Sequence, residues 1–329
     1  MGDIAKPATI AAFSSPATPD VPEATATGRL DVIVWSLIAA AGALVAIAVP
    51  VGGFHPVWES FARPACILAL LAPAGWFYRN IRRDQRLAAA LTCTAQIVAF
   101  SAVGAPLSYV ATALSAPFPL QDHVFDLADK ALGFDWHATL AWMDANSALH
   151  PIFRTAYSSL TAQASVAILA LAFTGRLVWL RVFMLAFVAA TLIGLAIATV
   201  VPAYGVWGYY GLTPFDHPHI DPVVRNLPVP IIDGLRDGSH RALLAIGAEG
   251  IVTFPSLHAA FAVILTVAFW PVPVLRWIGV ALNAAMLAST PVDGAHYLVD
   301  IVAGFAVAAI AIGVARALAR SADASASSC

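Results

Sequence analysis

Stretches of about 20 mostly apolar residues recur eight times along this chain, and they make lipid the solvent for most of it. Each is long enough to cross a bilayer core of roughly 30 Å as a helix. They lie near residues 31–51, 63–79, 88–112, 152–173, 178–201, 254–271, 274–290 and 296–317. Composition agrees, with 60% of the 329 residues apolar, 11% charged and a mean hydropathy of +0.81. A soluble chain carries roughly twice that charged fraction. The expected fold class is therefore all-α, a polytopic membrane helical bundle of about eight transmembrane helices. The third run is long enough to tilt or kink, with Gly104 and Pro106 as the place.

Arginines orient the bundle, because short cytoplasmic loops accumulate them. Arg79, Arg82, Arg83 and Arg86 form the strongest cluster, Arg176 and Arg181 flank a later loop, and Arg276, Arg316 and Arg320 mark the rest. With eight spans all of these fall on one side, together with both termini. Residues 1–30 and 319–329 read as disordered tails, since neither offers an apolar face to bury. Cys66 and Cys93 fall inside apolar runs and Cys329 is the last residue, so no disulfide framework is implied. No basic domain points to a nucleic-acid partner.

Two loops on the other side are long. Residues 118–150 alternate apolar positions with Asp122, Asp126 and Asp129, which predicts one or two short helices at the interface with the aspartates on the wet face. Residues 202–253 are rich in Pro, Gly, Tyr and charge, and Trp207, Tyr209 and Tyr210 within them read as interface anchors.

Ionisable groups inside a membrane are expensive, and here they gather at the outer ends of the last three runs. Pro255-Ser256-Leu257-His258 opens the sixth run, with Ser256 placed as a helix N-cap. Amides at such an end bind anions, phosphate above all, and His258 sits beside them in the first turn. The eighth run opens with His296 and Asp300, four apart and so stacked on one helix face. A carboxylate on one imidazole nitrogen leaves the other as nucleophile or base. Two spans separate the histidines, one down and one back, so both return to the same membrane face. That arrangement suits phosphoryl transfer through a phosphohistidine, with one histidine attacking and the other moving protons.

These residues resemble the motifs of the type 2 phosphatidic acid phosphatase (PAP2) superfamily. Pro255-Ser256-Leu257-His258 looks like its PSGH motif, and Ser289 through Asp300 like its S-R-x5-H-x3-D motif. The PSLH form, with Gly294, His296, Tyr297 and Asp300, is closer to the inositol-phosphotransferase branch, which includes inositol phosphorylceramide synthase. The resemblance implies a six-helix catalytic core over residues 88–318, preceded by two accessory helices over 31–87. It implies His296 as nucleophile, Asp300 orienting it and His258 as acid. Two motif features are missing: Thr290 stands where the second motif has arginine, and no Lys-x6-Arg-Pro motif precedes the core, Arg63-Pro64 lacking its lysine. A phosphate wants guanidinium help, and the 202–253 loop offers Arg225, Arg236 and Arg241, of which Arg236 and Arg241 lie nearest in sequence to Ser256.

The remaining polar groups have plainer readings. Asp216, His217, His219 and Asp221 resemble a metal cluster but read as a polar loop, and Asp293-Gly294 reads as a turn or as a hydroxyl-binding carboxylate. The expected activity is a metal- and cofactor-independent phosphotransferase or phosphatase. Its partners would be membrane lipids, with a phospholipid or lipid phosphate as substrate and a lipid hydroxyl as possible acceptor. A bacterial inner membrane, with the site on the periplasmic face, is the expected location. The competing expectation is a transporter with a His/Asp proton relay. That needs ionisable groups at midplane, where this sequence has almost none.

Overall fold

A computed structural model describes residues 21–213, 215–224, 228–245 and 251–326. Helices fill all eight apolar intervals: α1 (Val21–Gly52), α2 (Trp58–Asn80), α3 (Gln85–Leu114), the pair α6 (His150–Ser158) and α7 (Leu160–Phe173), α8 (Leu177–Val200), α11 (Leu257–Phe269), α12 (Pro273–Asp293) and α13 (Leu298–Ala326). Between them lie the short helices α4 (Asp122–Ala131), α5 (Trp136–Ala145), α9 (Val206–Tyr209) and α10 (Pro228–Asp237). Two-residue strands β1 (His55–Pro56) and β2 (Ala242–Leu243) pair in parallel and tie the α1–α2 connection to the long loop after α8. The chain is an integral membrane protein of helical fold. Five helices are long and apolar enough to cross a bilayer alone, and α6–α7 makes a sixth if counted as one bent span. The 13-residue α11 is shorter than a full span.

Several features differ from expectation. Residues 21–30 belong to α1 and 319–326 to α13, so those parts of the predicted tails are helical; residues 1–20 and 327–329 lie outside the described residues. The apolar span within α1 begins at Thr27, and Ala-rich sequence sustains α13 past its apolar run. α3 is one continuous helix through Gly104 and Pro106, and a break that spacing does not mark, with a bend of 52°, falls between α6 and α7. There the Ser159 hydroxyl donates to the Ala156 carbonyl at 2.6 Å, a back-bond that bends helices.

A further difference is α4, whose faces are reversed. Asp122, Asp126 and Asp129 are buried, whereas Val124 and Leu127 are more than half exposed. The aspartates turn inward because backbone amides wait there. Asp122 accepts from the amides of Tyr204 and Gly205, and Asp129 from those of Leu298 and Val299. Burial pushes both carboxyls above their ordinary range, against the pull of those amides. Asp126 bonds Lys130 and the Tyr210 hydroxyl. Trp207 is likewise core rather than interface: it is 1% exposed and its indole N–H donates to the Val292 carbonyl at 3.1 Å.

The main core is the packing of α1, α3, α7, α8, α11 and α13. A second cluster of Phe125, Trp136, Leu140, Trp207, Val292 and Tyr297 lies beneath the loop helices. It supports the turns at the end of α12 and the start of α13, where the chemistry-bearing residues sit.

Candidate active site

Ser256 begins α11 as expected, its hydroxyl accepting from the Ala259 amide at 3.3 Å. The amides of Leu257 and His258 meet no partner among the described residues, which is the usual state of a helix start. The Ser256 amide is taken, donating to the Asp300 carbonyl at 3.0 Å and so fastening the start of α11 to that of α13. That approach is possible because residue 304 is glycine: a Cβ there would stand 2.4 Å from the Ser256 carbonyl oxygen.

His296 sits in the turn between α12 and α13, reached through Ala295 in the left-handed backbone region (φ 58°). Its Nδ1 lies 3.1 Å from Oδ2 of Asp300, and the same oxygen accepts from the Tyr297 amide at 2.9 Å. Both side chains are buried. The Asp129 carboxylate caps the start of α13 immediately beyond them, at 2.7 and 3.0 Å from the Leu298 and Val299 amides. A carboxylate there complements the positive end of the helix, so the anion site left open is that of α11.

His258 faces a residue that spacing does not reveal. The ring of Tyr157, on α6, stacks on it with centroids 3.9 Å apart and planes 15° from parallel. A Cβ on Gly294 would meet the Tyr157 hydroxyl at 2.9 Å and Cδ2 of His296 at 2.7 Å. One tyrosine thus touches the first histidine and reaches the turn that carries the second.

A second imidazole–carboxylate pair adjoins the first. His150, the first residue of α6, places Nε2 3.1 Å from Oδ1 of Asp293, the last residue of α12. Both are buried, which makes Asp293 an element of the site wall rather than an open turn residue.

The structure brings Ser256, His258, His296 and Asp300 together, and it does not bring Arg236 or Arg241 to them. Arg236 donates to the carbonyls of Ser115 and Phe118 at 2.9 and 2.8 Å, serving the carbonyl end of α3. Arg241 donates to the Leu235 carbonyl at 2.8 Å and lies over the Phe54 ring. Their expected place as phosphate clamps is therefore taken by structural work, and Arg225 lies outside the described residues. Thr290 offers no substitute: it is fully buried with its hydroxyl on the Met286 carbonyl. His217 and His219 both turn toward Asp144, at 4.0 and 3.4 Å. Among the described residues no group of three His, Cys, Asp or Glu side chains is placed to hold a metal ion.

The fold and site define a helical membrane protein with a carboxylate-backed histidine and a second histidine gathered where three helices begin or end. A family model for the PAP2 superfamily matches residues 124–314, more than half of the chain. The chain belongs to that superfamily, whose membership makes phosphatase or phosphotransferase chemistry its activity class. No curated protein and no solved structure matches it.

Proposed function

We propose that this protein transfers a phosphoryl-containing group from a membrane lipid phosphate or phospholipid through a covalent intermediate on His296. The observation that carries the reading is the His296–Asp300 pair at 3.1 Å, set against the start of α11 with His258 in its first turn. Asp300 accepts the Nδ1 proton, which leaves the Nε2 lone pair for phosphorus. As the N–P bond forms, the bond to the leaving oxygen breaks, and His258 gives that oxygen its proton. His258 then takes the proton of the incoming hydroxyl, whose oxygen attacks phosphorus and releases His296. The amides of Leu257 and His258 face the negative oxygens throughout.

The acceptor decides the outcome: water gives a lipid phosphatase, and a lipid hydroxyl such as that of ceramide or diacylglycerol gives a head-group transferase. The PSLH form of the first motif supports the transferase reading, in the manner of inositol phosphorylceramide synthase. The arginine-rich ends of α2 and α13 support placing them in the cytoplasm and the histidines on the periplasmic or luminal face.

The test uses purified protein in detergent, offered phosphatidic acid alone or phosphatidylinositol with labelled ceramide. Phosphate release or a new polar ceramide product is expected from wild type, reduced at least about 10⁴-fold in His296→Ala. Equal turnover by the variant would sink the mechanism.

A further inference from the structure

α6 carries more than Tyr157. His150, Arg154 and Tyr157 fall at successive helical steps of four and three, so they form one stripe along a single face. At its far end Tyr157 is buried against His258. At its near end His150 and Arg154 line an open groove of about 840 Å³ between α6–α7 and the segment Pro218–Asp221. That is the size of a small-molecule site. His150 also ties the groove to the chain leading into His296, through its bond to Asp293.

Arg154 is the cation of this groove. Its Nη1 lies 3.0 Å from Oδ2 of Asp221 across the opening, and both side chains are about half exposed, at 45% and 47%. An ion pair so wet contributes little by itself, about 0–1 kcal/mol, and its guanidinium is open to exchange for a better anion. Phosphate is such an anion, because a guanidinium pairs with it through two parallel bonds. The guanidinium missing at Thr290, and not supplied by Arg236 or Arg241, is available here.

We propose that this groove receives the phosphate-bearing head of the substrate, with Arg154 binding the phosphate and Asp221 as the resting partner that phosphate displaces. The inference rests on the phosphoryl-transfer reading for its substrate class, but its own test is separate. If the Arg154–Asp221 bridge only braced the structure, removing either end would have the same effect. If phosphate competes with Asp221, the two removals act in opposite directions.

The experiment measures KM and kcat for Arg154→Gln, Arg154→Lys and Asp221→Asn, with phosphatidic acid in micelles and with water-soluble p-nitrophenyl phosphate. Arg154→Gln is expected to raise KM about tenfold to a hundredfold, with Arg154→Lys between it and wild type. Asp221→Asn is expected to lower KM, by up to about fivefold. A shift on both substrates assigns the groove to phosphate monoesters generally, and a shift on phosphatidic acid alone assigns it to lipid heads; either supports the proposal. KM rising in both Arg154→Gln and Asp221→Asn, or unchanged in either, overturns it. Should wild type turn over neither compound, the catalytic reading is what fails, and the groove is read from binding. Inorganic phosphate should then raise the melting temperature of wild type and Asp221→Asn but not of Arg154→Gln, and a wild type that phosphate leaves unmoved overturns the proposal.

Discussion

Tyr157 shows how much one side chain does at this site. Its ring holds the His258 imidazole by stacking, and its hydroxyl reaches the turn of His296. An aromatic stack is worth about 0.5–1.5 kcal/mol beyond area. Tyr157→Ala is therefore expected to lower kcat by about tenfold or more, because His258, the acid of the proposed mechanism, loses its bearing. Tyr157→Phe should keep most of kcat, since the stack survives. Equal loss in the two variants would move the tyrosine's importance from ring to hydroxyl, and the same phosphate-release assay decides. His258, His296 and Asp300 are legible in sequence because their spacing is local: a cap motif, an i,i+4 pair and two span lengths. Tyr157 and His150 are not, because their partners lie in other helices and no periodicity marks the pairing. The two arginines fail as clamps for a related reason. Nearness in sequence to Ser256 says nothing about the carbonyls of residues 115–118, which claim Arg236.

At the scale of elements, the site depends on α11 and α13 starting in contact. Gly304 allows this, and the bond from the Ser256 amide to the Asp300 carbonyl records it. An added methyl would meet the Ser256 carbonyl at 2.4 Å and Cβ of Ala259 at 2.9 Å. Overpacking of this kind costs about 1–3 kcal/mol. Gly304→Ala is thus expected to lower the melting temperature and to cut kcat more than KM, because the two helix starts separate while the groove at α6 stays intact. Unchanged kcat would show that the contact tolerates separation. That helices fill the apolar runs was legible from hydropathy, whereas the reversed faces of α4 were not. Hydropathy assumes that water solvates the carboxylates, but here the amides of Tyr204, Gly205, Leu298 and Val299 do so. The break at Ser159 is likewise invisible to hydropathy, since an apolar run stays apolar through a bend.

Across the whole molecule, polar clusters occupy both ends of the bundle. Away from the histidines, Asp31 of α1 accepts from Arg181 of α8 at 3.2 and 3.1 Å, Arg79 of α2 at 3.2 Å and Gln96 of α3 at 3.3 Å. Asp31 and Arg181 are nearly fully buried, at 5% and 4%. This carboxylate joins α1 and α2 to α3 and α8, so the two N-terminal helices are integral to the bundle at that end. Removing one partner of a buried pair costs about 3–5 kcal/mol, because the other is left uncompensated. Asp31→Ala should therefore lower the melting temperature in detergent markedly, while kcat/KM per folded molecule stays near wild type. A large fall in kcat/KM with no change in melting would contradict this division of labour.

The buried carboxylates of α4 also set an order of events at the ribosome. Asp122 and Asp129 are synthesised long before Leu298 and Val299, the amides that Asp129 receives, and Tyr297, whose hydroxyl Asp122 accepts. Chains fold from the N-terminus as they emerge, so α4 waits with Asp129 still solvated by water while the helices from α5 through α12 are made. The candidate site closes only when α13 arrives and the waiting carboxylate takes the amides of Leu298 and Val299. A nascent chain that ends before residue 296 can already hold most of the bundle, yet it lacks the histidine on which the proposed chemistry depends.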